Sequence, residues 1–127
     1  MASNLVLVDS CVFIKAFRKD TLAQKHLENI IDRTAYSIIT QLELLVGAKT
    51  AQNKGAINNL FAAYYGIPLN AEISEKAICL MRHYVSGNRH LSVPDCLIAA
   101  TSLTTGFPLL TYNKKDFAFL ERLKFYE

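Results

Sequence analysis

Short apolar runs that alternate with stretches of helical periodicity constrain the fold of this chain most strongly. The run Leu5–Val8 is brief, continuous and rich in valine, which is typical of a strand buried on both faces of a parallel sheet. Asp9 ends this run, and Phe13, Ile14 and Phe17 then recur at the spacing of one helix face. The same alternation of strand and helix continues along the chain.

Further strands are predicted at Tyr36–Ile39, Ile67–Leu69 and Leu109–Thr111, and Leu123–Tyr126 is a candidate fifth strand. Pro68 predicts that the third strand lies at an edge of the sheet. Helices are predicted around Ala23–Ile31, Gln41–Ala48, Ile57–Tyr64, Ile78–Val85 with an end near Gly87, Leu97–Leu103 with Gly106 closing it, and a short segment with Phe117 and Leu120.

This pattern predicts a three-layer α/β/α domain with a mostly parallel central sheet of four to five strands. The chain has 127 residues, of which 51% are hydrophobic, and this is enough to bury a core without disulfide bonds. No composition shift marks a linker or a repeat. We therefore expect residues 1–127 to form a single domain.

The cysteines and the apolar runs indicate the cellular compartment in which the protein folds. The chain has 3 cysteines, Cys11, Cys79 and Cys96, and this odd number without close spacing argues against a disulfide framework and a zinc site. Each lies among apolar residues, so we expect buried free thiols. The chain shows neither a signal-peptide pattern nor the roughly 18 apolar residues of a membrane span, and we expect a soluble, cytoplasmic protein.

The basic residues and histidines carry a weaker signal. The formal net charge is +3, which does not by itself indicate nucleic-acid binding. The 3 histidines, His26, His83 and His90, lack metal-ligand spacing, and we expect surface or hydrogen-bonded helix residues. Basic groups that fit either a solvated surface or a polyanion contact are Lys15 with Arg18 and Lys19, Arg82 with His83, Arg89 with His90, and Lys114 with Lys115.

Four acids fall where the predicted strands end or the predicted helices begin. Asp9 directly follows strand one, and Glu43 opens the helix after strand two. Asp95 opens the helix before strand four, and Asp116 follows that strand. Because the carboxyl ends of parallel strands share one edge of the sheet, we expect these carboxylates to meet in a crevice there.

Two interpretations of these acids remain open and are compatible. Carboxylates that repel one another need a hard divalent cation, and Mg²⁺ or Mn²⁺ suits oxygen ligands and phosphodiester chemistry. Alternatively, the acids cap helices, as Asp9 before a helix would and as three further patterns indicate. These patterns are Thr40-x-x-Glu43, Ser92-x-x-Asp95 and Asn113-x-x-Asp116.

The stretches around the acids resemble the PIN domain, and within it the VapC-type toxins. Leu7–Ile14 is similar to the family's opening segment, a strand followed by Asp, then Thr or Ser. Ser37–Leu44 with Gly47 is similar to its Thr-x-x-Glu-Leu-x-x-Gly segment, and Asp95–Thr101 to its Asp-x-x-Ile-Ala-Ala segment. Leu110–Phe117 is similar to its Leu-Val-Thr-x-Asn-x-x-Asp-Phe segment. All four stretches occur in the family order.

The resemblance implies an endoribonuclease that depends on Mg²⁺ or Mn²⁺ and cleaves RNA with an activated water. Cys11 stands where the family often has Asn or Ser. The matching metal-binding and catalytic residues are Asp9, Glu43, Asp95 and Asp116, and the matching supporting residues are Ser10, Thr111 and Asn113.

The resemblance also implies a small cognate antitoxin and a homodimer. Phe13, Phe17, Phe61, Tyr64 and Tyr65 are apolar enough to contact a partner, although a core position is the alternative for each. Other functions weighed for this chain are a housekeeping RNA-processing nuclease, a PIN-like binding module without catalysis and a receiver-like signalling domain. The receiver-like alternative lacks the adjacent acids after strand one.

Overall fold

A computed structural model describes residues 4–84 and 91–127 of the chain, and its centre is a parallel sheet. The strands are β1 (Val6–Val8), β2 (Thr34–Ser37), β3 (Tyr65–Ile67) and β4 (Leu109–Leu110). Their order in this four-stranded sheet is β3–β2–β1–β4, and every pair is parallel. The helices are α1 (Ser10–Phe17), α2 (Thr21–Asn29), α3 (Ile38–Gly47), α4 (Ala51–Ala62), α5 (Ala71–Tyr84), α6 (Val93–Thr105) and a 3₁₀ helix at Lys114–Asp116.

Helices cover the sheet on both faces. Successive side chains of a strand point to opposite faces, and β1 is buried along its whole length. Leu7 packs in one core with Ile73 of α5, whereas Val6 and Val8 pack in a second core with Phe61 of α4. The predicted three-layer arrangement with a parallel sheet is confirmed.

The second strand ends earlier than its apolar pattern predicts. We expected a strand at Tyr36–Ile39, but the Ser37 hydroxyl accepts a hydrogen bond from the Ile39 amide at 3.2 Å and caps α3. Because Ser37 caps the helix, the hydrogen bonding of β2 to its neighbours ends there and α3 begins at Ile38, three residues before the predicted Gln41.

This earlier start corrects the position of Glu43, which lies in the second turn of α3 and does not open the helix. The predicted capping box Thr40-x-x-Glu43 is therefore wrong. The Thr40 hydroxyl is buried and has no hydrogen-bond partner among the described residues.

The remaining strands lie close to their predicted positions. Strand β3 is at the edge of the sheet, as Pro68 predicted. It begins at Tyr65 and ends at Ile67, where the predicted strand Ile67–Leu69 begins, because its pairing with β2 runs from Tyr65 to Ile67. Helix α6 ends as expected at Gly106, whose φ of 81° is the left-handed conformation that glycine adopts readily.

The C-terminal segment is less regular than predicted. Phe117 lies in a turn after the 3₁₀ helix and does not begin a helix, although its ring is fully buried. The predicted strand Leu123–Tyr126 is reduced to one parallel bridge between Leu109 and Phe125. Asn113 makes no side-chain capping bond to the 3₁₀ helix, so the capping role predicted for it is wrong.

The thiols are free in the described residues, as predicted, but their burial differs. Cys96 is buried and Cys11 half-buried, whereas Cys79 is exposed because it lies on the solvent side of α5. None of the described helices is long and apolar enough to cross a membrane. Predictions that fall outside the described residues concern Val85, Gly87, Arg89 and His90.

The aromatic residues divide between core and surface. Phe13 and Phe61 are buried, with ring centroids 5.1 Å apart in an edge-to-face arrangement. Tyr64 is half-buried, while Phe17 and Tyr65 are 42% and 48% exposed and remain available for contacts with other molecules.

Phe61→Ala should lower the free energy of unfolding by about 3–5 kcal/mol, because it removes a ring that is only 2% exposed and leaves a cavity. The matched control is Val46→Ala at a side chain that is 81% exposed, where the change should stay within about 0.5 kcal/mol. Urea unfolding monitored by circular dichroism measures both values. Equal destabilisation by the two variants would contradict the assignment of this core.

Candidate functional site

The order of the strands creates a crevice at the carboxyl ends of β1 and β4. The chain passes from β1 to β2 and β3 on one side, then crosses to β4 on the other side of β1. Such a reversal leaves a crevice outside the carboxyl ends of the strands. Asp9 and Thr111 follow the two adjacent strands, and the Asp9 amide donates to the Leu110 carbonyl at 3.0 Å.

Asp9 is the most buried of the four predicted acids, with 5% of its surface exposed. Its Oδ1 accepts a hydrogen bond from the Ser10 amide at 2.8 Å, so Asp9 caps α1. Its Oδ2 accepts one from the Thr111 hydroxyl at 2.9 Å. The capping prediction for Asp9 is confirmed, and the second carboxylate oxygen is held by the other strand end.

The balance of charge around Asp9 disfavours its ionised form. Burial, the largest effect, raises the pKa of Asp9, and the nearby Asp116 raises it further. Hydrogen bonds from Thr111, Ser10 and Cys11 lower the pKa but do not offset burial. A positive charge beside this carboxylate would relieve the imbalance.

Glu43 and Asp95 reach the same crevice from two different helices. Burial has the largest effect on the pKa of Glu43 and raises it, and the charges of Asp9 and Asp95 raise it further. A hydrogen bond from the Ser10 hydroxyl lowers it. Burial also raises the pKa of Asp95, followed by the charges of Asp9 and Asp116, while Ser92 lowers it. Ser92 caps α6 by accepting from the Asp95 amide at 3.2 Å, as the Ser92-x-x-Asp95 pattern predicted.

These interactions show that the four acids share one crevice. The charge of Asp9 raises the pKa of Glu43 and of Asp95, and the charge of Asp95 also raises that of Glu43. The charge of Asp116 raises the pKa of Asp9 and of Asp95. Asp9 and Asp95 therefore each interact with both remaining acids.

The spacing of these acids bears on metal binding. In residues 4–84 and 91–127, no three His, Cys, Asp or Glu side chains are close enough together to form a ready-made metal site. Mg²⁺ keeps several waters and uses only one or two protein carboxylates directly. Carboxylate ligands that are spread across a crevice therefore fit a hard cation that keeps several water ligands. They do not fit an ion that is coordinated entirely by protein atoms.

The predicted supporting residues differ in their proximity to the acids. Ser10 lies beside Glu43, and Thr111 is buried against Asp9. Asn113 is exposed, and its backbone amide donates to the Thr111 hydroxyl at 3.1 Å. The backbone of Asn113 therefore supports Thr111, and its side chain makes no bond to the acids among the described residues.

Cys11 and His26 have connections to the crevice that the sequence did not reveal. The Cys11 Sγ lies 3.7 Å from Asp9 Oδ2 and accepts from the Tyr112 amide at 3.4 Å. His26 Nδ1 lies 2.6 Å from the Tyr112 hydroxyl, and Lys15 Nζ lies 5.2 Å from the centre of the same ring. Only the place of Tyr112 between Thr111 and Asn113 hinted at this cluster.

Comparisons with known proteins agree with this geometry. A family model described as the PIN domain matches residues 6–123. Ribonuclease VapC10 from Mycobacterium tuberculosis is 30% identical over 125 residues, which cover 94% of this chain and 91% of that protein. Ribonuclease VapC1 from Methanocaldococcus jannaschii is 29% identical over 94% of this chain and 81% of its own length.

Solved structures share the fold. A chain of a toxin–antitoxin complex from Klebsiella pneumoniae is 29% identical, with a TM-score of 0.80 over 96% of this chain and 98% of its own. A chain of VapBC2 from Rickettsia felis, bound to a promoter DNA fragment, has a TM-score of 0.84 at 21% identity over 96% and 97% of the two chains. The second likeness concerns the fold alone.

Asp9→Asn should stabilise the metal-free protein at neutral pH. A raised pKa means that the folded state binds the Asp9 proton more tightly than the unfolded state does. The free energy of unfolding therefore falls as the pH rises through the folded-state pKa of Asp9 and its carboxylate becomes charged. The advantage of the variant should therefore shrink as pH falls through that range. Thermal unfolding in EDTA over a pH series measures the effect.

The control is Asp32→Asn, at an exposed acid in the loop before β2. This change should leave the stability at neutral pH within about 0.5 kcal/mol of the wild-type value, because Asp32 lies on the surface. A lower melting temperature for Asp9→Asn at every pH would show that the hydrogen bonds to the charged carboxylate outweigh its burial.

Proposed function

This chain belongs to the PIN-domain family, and on that premise we propose that it is a metal-dependent endoribonuclease and the toxin of a toxin–antitoxin pair. Two relatives named as ribonucleases and a similar chain from a toxin–antitoxin complex support the proposal. The observation that carries it is electrostatic. The buried carboxylate of Asp9 interacts with all three other acids of the crevice.

We assign Mg²⁺ or Mn²⁺ to Asp9, Glu43, Asp95 and Asp116, because hard cations prefer carboxylate oxygens and water. When bound, the ion supplies charge that offsets the phosphodiester and lowers the pKa of a water near it. The fit rests on the oxygen-only donor set and on the raised pKa values of Asp9, Glu43 and Asp95.

Residues around the acids orient them and hold the RNA. Ser10 and Thr111 fix both oxygens of Asp9, so its carboxylate cannot rotate freely. Cations occur on the same edge, since Lys15 lies over Tyr112 and Lys115 precedes Asp116. These cations suit the phosphates of a polyanion that runs across the crevice.

The proposal also includes the protein partners. Phe17 and Ile31, 42% and 59% exposed, line an apolar groove of about 270 Å³ together with Leu27, Leu60 and Tyr64. Exposed apolar surface of this kind marks interaction sites. We assign the groove to the antitoxin, and we also propose that the protein forms a homodimer.

Cleavage of RNA should require Mg²⁺ or Mn²⁺ and cease in excess EDTA. Asp9→Asn and Asp95→Asn should each lower kcat/KM by at least roughly 10–100-fold. Loss of a residue that only supports a metal ligand already has an effect of that size. The measurement uses purified protein and total bacterial RNA, with cut sites mapped by end sequencing.

Glu121→Gln is the matched control, since it removes an exposed carboxylate near a different cavity. Its kcat/KM should stay within about twofold of the wild-type value, because the other charges of the crevice are unchanged. Wild-type cleavage by Asp9→Asn, or full activity in EDTA, would contradict the proposed function.

The fragments should carry a 5′-phosphate and a 3′-hydroxyl. A water that attacks phosphorus in line expels the 3′-oxygen, with positive charge near the developing oxyanion. The RNA 2′-hydroxyl then serves recognition, and a 2′-methoxy group at the cut site should not abolish cleavage. Ligation and phosphatase treatment of the fragments identify the ends, and 2′,3′-cyclic phosphates would refute this route.

A further inference from the structure

A second cavity, of about 410 Å³, lies beside the acids between α1, α3 and α4. This volume falls within the range of about 300–1,000 Å³ that is typical of small-ligand sites. Apolar side chains form much of its lining, and a few polar groups converge on it. The apolar residues include Ile14, Leu44 and Ile57, and the polar ones are Arg18, Asn53 and Glu43. Phe17 lines both this cavity and the groove assigned to the antitoxin.

Glu43 belongs both to this cavity and to the acid crevice. Helix α3, which carries Glu43, packs against α1, which Asp9 caps, and against α6, whose first turn carries Asp95. A group seated in the cavity therefore lies next to a phosphodiester held at the acids. The occupant that follows from this continuity is the base of an adjoining nucleotide.

The chemistry of the lining matches a nucleobase, which has flat apolar faces and a polar rim. Sequence-specific recognition of RNA uses unstacked bases in this way. The Arg18 guanidinium and the Asn53 carboxamide make no hydrogen bond or ion pair with any described residue, so both are available to a ligand. The polar residues that line the antitoxin groove are Gln24 and Glu28, neither of which carries a positive charge.

The polar groups also favour one base. Arginine donates to the O6 and N7 acceptors of guanine. Guanine presents its N1–H and N2–H donors on the neighbouring edge, which a carboxylate such as that of Glu43 accepts. A carboxylate has two oxygens, so Glu43 can face both the acids and the cavity.

We propose, on the basis of the ribonuclease function proposed above, that this cavity binds the base next to the cleaved phosphodiester and selects guanine. Arg18 and Asn53 are then specificity-determining residues. The four carboxylates act on the backbone, and the cavity sets where along the RNA they act.

The test uses short single-stranded RNAs that contain one mapped cut site and differ only in the base on either side of it. For the wild type we expect kcat/KM to be about 5- to 150-fold higher with guanine at one of these positions than with other bases. Arg18→Gln and Asn53→Ala should each reduce this ratio several-fold.

The controls are Lys19→Gln, which removes a neighbouring positive charge, and Asn59→Ala on the same helix as Asn53. Neither residue lines the cavity. Both variants should keep the guanine preference, even if Lys19→Gln weakens binding of every RNA.

A second measurement does not depend on cleavage. Guanosine 5′-monophosphate, added to the metal-free wild-type protein, should shift the backbone amide NMR signals of Gly47 and Asn53 more than adenosine 5′-monophosphate does. The effect should be lost in Arg18→Gln.

These outcomes separate the two proposals. Cleavage with no guanine preference, or with a preference that Arg18→Gln and Asn53→Ala leave intact, overturns the cavity assignment and leaves the ribonuclease proposal standing. Guanosine monophosphate binding without cleavage of any RNA supports the cavity and overturns the enzyme. Loss of antitoxin binding in Arg18→Gln and Asn53→Ala with unchanged base preference assigns the cavity to the protein partner and overturns the inference.

Discussion

A carboxylate that is removed from water needs hydrogen-bond donors, and Asp9 obtains them from both sides of the central strand junction. One oxygen takes the Ser10 amide at the start of α1, and the other takes the Thr111 hydroxyl at the end of β4. The bond from Ser10 is local, but the bond from Thr111 forms only if β1 and β4 are neighbours with Val8 opposite Leu110. The position of a single acid and the order of the strands therefore depend on each other.

The same arrangement explains why the crevice is costly to the folded chain. Burial and neighbouring charges raise the pKa values of Asp9, Glu43 and Asp95 together. Favourable interactions elsewhere, such as the packed rings of Phe13, Tyr36 and Phe61, must offset this repulsion. A stable frame that holds like charges together is what a site for a cation and a polyanion requires.

The sequence predicted the layers and the convergence of acids because both depend on local patterns. Apolar runs locate β1 and β4. Asp9 directly follows a strand and Asp95 lies at the start of a helix, and the few residues around each acid are enough to predict these positions. It missed the helix cap at Ser37 because Ser37 and Thr40 offer the same hydroxyl chemistry. Both are buried, and the folded chain distinguishes them by the Ile39 amide, which donates to Ser37 and not to Thr40.

Other errors arose from contacts between distant segments. The apolar neighbours of Cys79 on the chain did not show that it lies on the solvent side of α5. The hydrogen bond between His26 and Tyr112 joins α2 to the segment after β4, and no periodicity relates the two residues. The spacing of charges across the crevice likewise depends on how whole helices pack, so sequence motifs alone could not supply it.

The place of β4 in the chain has a consequence for synthesis. A ribosome produces β1, β2 and β3 before β4, so a nascent chain can pack Phe13 against Phe61 while Thr111 is still inside the exit tunnel. Such a chain lacks the second donor for Asp9, and it also lacks Asp116, which follows β4. The crevice is therefore complete only after the last strand of the sheet has docked.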